Sequence, residues 1–251
     1  MRFLIVISEV TFVKDNYNQF LYELFSRYTN GIVGLVILNN NQPILILKGI
    51  GLIAMGAKIT GKTLIYNTIM APKRDHEKVA SRFNIPTYYF KSANDPQFFN
   101  FVNDHKIDLI INARTRDIYK KKILKLPSLG CINIHHGLLP DYRGTMCDLY
   151  ALYENRPAGF TIHKMEIKID SGSIIKKVPV TDSSSNHSSN FPEHIYQSSK
   201  IEGKILAELL KRIEETKEIP VENENLSSNQ VYTKNPNFKV IRKMINKGII
   251  L

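Results

Sequence analysis

The strongest constraint on the fold is a rhythm in the first half of the chain. Short apolar runs of strand length, RFLIVIS, GIVGLVILNN, IPTYYF, IDLIINA and CINIH, alternate with segments whose apolar residues recur at helical spacing, NYNQFLYELFSRYTN, DHEKVASRFN and DPQFFNFVNDHK. β-Branched runs bounded by turn residues read as buried strands, and strands alternating with helices form a largely parallel sheet covered on both faces. The expectation is therefore an α/β fold: a doubly wound, mostly parallel sheet. Asp75 is a candidate N-cap for the second of these helices. In such sheets ligands sit beyond the carboxyl ends of the strands, which directs attention to the ends of LIVIS, DLIINA and CINIH.

The second half changes character. AGFTIHKMEIKIDSGSIIKKVPV alternates and contains an Asp-Ser-Gly turn, the signature of a β-hairpin. TDSSSNHSSN is a polar loop, and PEHIYQSSKIEGKILAELLKRIEE is a long amphipathic helix that starts beside a proline. The residues beyond that helix are too few for another domain. The expected organisation is a catalytic domain over 1–216 and a C-terminal extension over 217–251, a small appendage packed on the same domain.

Thirty-four basic residues against 23 acidic give a net charge of +11. That balance favours anionic partners: RNA, a membrane surface, or small phosphorylated or polyglutamylated ligands. The two cysteines, Cys131 and Cys147, suit a reducing cytoplasm. The apolar start MRFLIVISEV is too short for a signal peptide, and PILILKGIGLIAMGA is interrupted by Lys48 and glycines. A cytoplasmic protein with no membrane partner is expected.

GAKITGKT, residues 56–63, fits the phosphate-loop pattern G-x-x-x-x-G-K-[ST]. A working phosphate loop needs a strand before it, a sustained helix after it, and an acidic residue on another strand for magnesium. GLIAM could supply the strand, but LIYNTIMAP runs into Pro72, and Asp108 begins its strand rather than ending one. A nucleotide-binding role through Lys62 is the competing hypothesis that this motif raises.

CINIHHGLLPDYRG carries the more coherent chemistry. Side chains alternate along a strand, so Asn133 and His135 share a face and His136 points away. An imidazole can take a proton from an attacking amine, and an adjacent amide can donate to a developing oxyanion. The imidazole needs a carboxylate to support its protonated form, and Asp170 of the Asp-Ser-Gly turn is the candidate. Cys131 lies on the same face, further down, where packing is its expected role. Truncation of His136 is expected to be mild.

NIHHGLLPDYRG, followed about twenty residues on by AGFTIHKMEIKIDSGSII, resembles the formyltransferases that use 10-formyltetrahydrofolate: N-x-H, then (S/G)LLP, an aromatic-(R/K)-G, G-(V/F)-T-(I/V)-H and D-(S/T)-G, in that order. The resemblance is strong over residues 105–180 and implies a Rossmann-like formyltransferase fold. It implies His135 as general base, Asn133 as holder of the formyl oxygen and Asp170 as the support of His135. It also places a folate pocket beside INARTRDIYKK, with Arg114 and Arg116 as candidates for the cofactor's carboxylates and Ile118, Leu138, Leu139 and Pro140 as further cofactor contacts. Ser8, Lys14, Tyr142 and Arg143 are the substrate-contact candidates, and no metal is implied.

The chain departs from relatives at His136, often Pro or Ala there, and at SEVTFVKDN, which replaces the phosphate-gripping glycine loop of purine-pathway members. It also lacks room for the C-terminal domain of the methionyl-tRNA members. The resemblance is therefore closest to the short sugar N-formyltransferases, whose length, GLLPDYRG and NQVYTKNPN stretches are similar. It implies 10-formyltetrahydrofolate as co-substrate, a nucleotide-linked amino sugar destined for surface polysaccharide as acceptor, and a homodimer as a possible assembly. Charged initiator tRNA is the alternative acceptor.

Overall fold

A computed structural model describes residues 1–13, 15–70, 73–181, 189–226 and 231–251. The strands are β1 (Phe3–Ser8), β2 (Ile32–Leu38), β3 (Thr87–Phe90), β4 (Leu109–Asn112), β5 (Cys131–His135), β6 (Tyr142–Gly144), β7 (Gly159–Lys164), β8 (Ile174–Pro179) and β9 (Val231–Thr233). The helices are α1 (Asn16–Phe25), α2 (Ile44–Ala54), α3 (Lys58–Met70), α4 (Lys73–Arg82), α5 (Pro96–Asp104), α6 (Lys121–Leu124), α7 (Cys147–Tyr153), α8 (Phe191–Thr216) and α9 (Phe238–Asn246).

Seven strands form one sheet in the order β3-β2-β1-β4-β5-β7-β8. The first five in that order run parallel; β7 runs antiparallel to them, and β8, paired antiparallel with β7, runs parallel to them again. Alternation along β1 splits the core into two layers. Phe3, Ile5 and Ile7 pack with Phe20, Leu21 and Leu24 of α1 and with Leu206, Leu210 and Ile213 of α8. Leu4 and Val6 face the other way, onto Phe98, Phe99 and Val102 of α5. Because β1 is buried on both faces, its sequence is a continuous apolar run rather than an alternating one. The order of the sheet reverses direction between β1 and β4, so a crevice opens beyond their carboxyl ends.

Two local expectations are corrected. GLIAM is not a strand: it lies in α2 and the turn after it, and Lys58 to Thr63 of the phosphate-loop pattern already belong to α3. No strand feeds that loop, so the segment has no phosphate cradle. An apolar run fits a buried strand or a buried helix equally well until its length decides, and this one is helix length. Asp75 sits in the first turn of α4, where its charge suits the helix dipole, and not at the cap. Pro72 lies outside the described residues, as does most of TDSSSNHSSN. The cap of α8 is Asn190, whose side chain accepts from Glu193 N at 3.1 Å.

The C-terminal residues lie against the rest of the fold. β9 pairs in parallel with β6, and Ile241, Met244, Ile249 and Leu251 pack with Tyr142, Leu149 and Phe191. Among the described residues no helix is long and apolar enough to cross a membrane.

Candidate active site

β5 ends at the carboxyl edge of the sheet, and its antiparallel pairing with β7 sets Asn133 opposite His163 and His135 opposite Thr161. A directed chain of hydrogen bonds fixes the amide of Asn133. Thr115 N donates to Asn112 Oδ1 at 3.2 Å, Asn112 Nδ2 donates to Asn133 Oδ1 at 2.9 Å, and Asn133 Nδ2 donates to His163 Nε2 at 3.2 Å. His163 donates from Nδ1 to the carbonyl of Lys164 at 2.7 Å, which leaves Nε2 as the acceptor. Burial, followed by the neighbouring His135, pushes the pKa of His163 down to about 4, so its ring is neutral. The Asn133 amide therefore presents its donor end, with one N–H committed to His163.

His135 is buried, at 6% exposure. Its Nε2 donates to the carbonyl of Tyr142 at 3.1 Å, and its Nδ1 stands 3.6 Å from Asp170 Oδ1. That separation is too long for a hydrogen bond but short enough for strong Coulombic support of an imidazolium. Asp170 is held in a left-handed backbone conformation, φ 54°. Its Oδ2 accepts from Gly144 N at 2.9 Å, and its own carbonyl accepts from Arg143 Nη1 at 2.6 Å and Asn225 Nδ2 at 2.9 Å. Gly144 itself has φ 99°, and a Cβ there would lie 2.3 Å from the carbonyl oxygen of Thr233 in β9. Only glycine can bring β6 against both Asp170 and β9.

Several candidates take other roles. Arg143 does not face a substrate. It is 2% exposed and is consumed by Asp170 O and by Asn225, whose O and Oδ1 accept from Nη2 at 2.9 and 3.0 Å. Arg114 is likewise turned inward, its Nε 3.3 Å from Glu202 Oε2, so it is not placed for a cofactor's carboxylates. Tyr142 is buried, with its hydroxyl donating to Glu154. Its contribution to the site is the carbonyl that receives His135. Arg116 is exposed, and Ile118 is exposed beside it. Leu138 and Leu139 are buried. The LLP turn is pinned by Thr161, which donates to the Gly137 carbonyl and accepts from Leu139 N. Pro140 is half-buried next to them. Ser8 is buried at the end of β1, and Lys14 lies outside the described residues.

His136 points away from Asn133 and His135, as alternation requires, but into the interior rather than to solvent. Its Nδ1 is 2.9 Å from Asp148 Oδ2 and its Nε2 is 2.9 Å from Glu202 Oε1. A mild truncation is no longer the expectation, because two buried carboxylates would lose their shared partner. Cys131 is buried, and burial pushes its thiol up. Cys147 Sγ lies 3.6 Å from His135 Nε2, but burial raises its pKa to about 12, so neither sulfur serves as a nucleophile. Among the described residues no group of three or more His, Cys, Asp or Glu is placed to hold a metal ion.

Sequence reasoning did not single out Asn112 or Asn225, and it placed Thr161 and His163 in a matched motif without giving them a role. His163 and Thr161 carry a signal, since they sit two apart on the strand paired with β5. Asn225 carries none. A fixed amide donor, an imidazole and a supporting carboxylate in a buried crevice form an arrangement suited to acyl transfer to an amine.

Comparison with known proteins agrees with that chemistry. The profile of the formyl transferase family matches residues 58–198. The chain is 33% identical over 138 residues to a methionyl-tRNA formyltransferase of Kosmotoga olearia, covering 55% of this chain and 43% of that protein. It is 32% identical over 137 residues to the bifunctional polymyxin resistance protein ArnA of Wigglesworthia glossinidia brevipalpis, covering 54% of this chain and 21% of that protein. The chain thus spans less than half the length of these relatives. Its fold is similar to that of a sugar N-formyltransferase from Shewanella, with a TM-score of 0.56 at 14% identity over 98% of this chain and 88% of the other. By the family profile, which covers more than half of its residues and both ends of the N-x-H region, this chain belongs to the formyl transferase family.

Proposed function

We propose that the protein transfers the formyl group of 10-formyltetrahydrofolate to the amine of a nucleotide-linked amino sugar, such as a dTDP-4-amino-4,6-dideoxy hexose. The observation that carries the reading is the oriented triad: the Asn133 donor, His135, and Asp170 set 3.6 Å from His135. His135 accepts one proton from the neutral amine as it attacks. The amine nitrogen bonds to the formyl carbon, and the resulting oxyanion accepts from Asn133 Nδ2. Asp170 supports the imidazolium while it lasts. As the bond from carbon to the folate nitrogen breaks, His135 returns the proton to that nitrogen, so no covalent enzyme intermediate is needed.

The exposed Arg116 and Ile118, and the LLP turn at Leu138, Leu139 and Pro140, suit a ligand that combines a flat ring system with a carboxylate tail. The fold likeness to a sugar N-formyltransferase over nearly the whole of both chains supports a sugar acceptor, and the net charge of +11 suits two anionic ligands. In this reading residues 1–216 form the catalytic domain and 217–251 extend it. The work is cytoplasmic, and its product is destined for surface polysaccharide.

A panel of dTDP-, UDP- and GDP-linked amino sugars with 10-formyltetrahydrofolate, scored by mass for a formylated product, tests the reading. Formylation of none of them sinks it. A second acceptor is favoured by the 33% identity to a methionyl-tRNA formyltransferase. Formylation of charged initiator tRNA, with no transfer to sugars, would establish that alternative.

A further inference from the structure

We infer that His136 is held as an imidazolium between Asp148 and Glu202, and that this buried cation positions the end of β5, with Asn133 and His135, against α7 and α8. The two ring nitrogens carry the inference. Nδ1 is 2.9 Å from Asp148 Oδ2 and Nε2 is 2.9 Å from Glu202 Oε1. A neutral ring has a single N–H, so one of those contacts would set a lone pair against a carboxylate. Only the doubly protonated ring satisfies both.

Charged and titratable groups face the ring from three elements, two carboxylates favouring the cation and Arg114 opposing it. Arg114 reaches in from the segment after β4, with Nε 3.3 Å from Glu202 Oε2 and its guanidinium over the ring of Tyr17 in α1 at 5.3 Å. His194 of α8 donates from Nε2 to Asp148 Oδ2 at 2.9 Å. Ser198 of the same helix donates to Glu202 Oε1 at 2.8 Å, and Gly159 N donates to Asp148 Oδ1 at 3.2 Å. Asp148 and Glu202 are 1% and 0% exposed. With His136 charged, two carboxylates face two cations, Arg114 and His136. With His136 neutral, Asp148 and Glu202 lose one of the charges that offset their burial.

One contact points the other way. Arg114 Nη1 lies 2.8 Å from His136 Nε2, a distance that suits donation to a lone pair. Nε2 cannot both accept from Arg114 and donate to Glu202; with a buried carboxylate 2.9 Å from each ring nitrogen, we assign the proton to Nε2, and Arg114 stays ion-paired to Glu202 Oε2 at 3.3 Å. The burial of the ring alone would lower its pKa. Glu202 and Asp148 outweigh that effect and raise it, while the pKa values of Glu202 and Asp148 are both lowered. The stability this histidine adds is therefore complete below its ordinary value of 6.5 and is lost as pH rises through the raised one. The carboxylates add stability above their ordinary values and lose it as pH falls.

The consequence for function comes from covalent connection. His136 follows His135 directly, so clamping its ring from two helices fixes the peptide that carries the proposed base. Because this inference uses the proposed formyl transfer for one readout, the test also has a readout that does not. Protein with ¹⁵N-labelled histidine and asparagine is placed in the NMR spectrometer at pH 7.5, with the His136 signals assigned from H136Q. Both His136 ring nitrogens are expected in the protonated range. In E202Q the His136 ring should become neutral, and the Asn133 amide and His135 ring signals should shift or broaden, while those of the remote His105 stay fixed. In the transfer assay E202Q and D148N should each lower kcat about tenfold or more, with KM within about twofold. H136R should recover part of what H136Q loses.

A neutral His136 in the wild-type protein overturns the inference. So does a neutral ring in E202Q with unmoved Asn133 and His135 signals. If D148N or H136Q fails to fold, the His136 signals are assigned from H136R, and the wild-type and E202Q spectra still decide. If the wild-type protein transfers no formyl group to any acceptor, the functional reading fails and the spectra judge this inference alone.

Discussion

The end of β5 carries two histidines in succession, and their surroundings could hardly differ more. Around His135 the contact with a carboxylate is long, 3.6 Å to Asp170, and Asp170 stands 3.8 Å from His163 as well. Around His136 they are short, 2.9 Å to each of two carboxylates. Short charge-assisted contacts fix a group and commit its proton. Longer ones impose no such commitment. The looser side of the strand is the one suited to chemistry, and the tighter side is suited to holding it still.

The largest effect should come from breaking the loose side. His135→Ala should lower kcat by about a thousandfold, the scale of a lost general base, with the circular dichroism unchanged. Near wild-type turnover would mean that the wrong imidazole was chosen. Asn133→Ala should cost about a hundredfold in kcat, as the loss of one oxyanion donor does, measured as single-turnover formyl transfer. Asp170→Asn keeps the acceptor for Gly144 N but removes the charge, so it should cost less than removal of His135 and leave KM for the acceptor nearly unchanged. Arg143→Ala tests the scaffold beneath that carboxylate. It strands the carbonyl of Asn225, leaves that of Asp170 with only Asn225 Nδ2, and should lower stability by about 2 kcal/mol in urea unfolding. The smallest effect is expected at Lys62→Ala, on the exposed side of α3, where ATP binding by the wild-type protein would instead revive the phosphate-loop reading.

pH sharpens the comparison further. His163 is neutral in the fold, with a pKa of about 4, so the unfolded chain binds the extra proton first as pH falls from 6.5. Stability should drop between pH 6.5 and 4 as that histidine is forced to charge, and His163→Gln should flatten that part of the curve in thermal melts. A curve unchanged by the substitution would remove His163 from the acid response.

The parallel sheet was legible because strands buried on both faces have no choice but to be continuously apolar: FLIVIS and GIVGLVIL announce themselves. The pairing of Asn133 with His135 was legible for an equally simple reason, the two-residue period of a strand. GLIAM was not, since an apolar stretch does not say which period it will adopt until a neighbour covers it, and here α3 does. The roles of Arg114 and Arg143 were misread because an arginine's value to a fold lies in its partners. Glu202 and Asn225 are distant in sequence, and nothing local marks them. The same holds for His136, whose partners sit on α7 and α8.

Gly137 has a consequence for how this site tolerates change. A Cβ at that position would fall 2.7 Å from His135 Nε2 and from the Cβ of Cys147, and 3.1 Å from the Tyr142 carbonyl. The hydrogen atom at Gly137 is therefore the wall of the chamber in which the imidazole sits. Any side chain placed there becomes an intramolecular inhibitor, pressing on the nitrogen that holds the proton, and no rearrangement of the rest of the chain would relieve it without moving the ring.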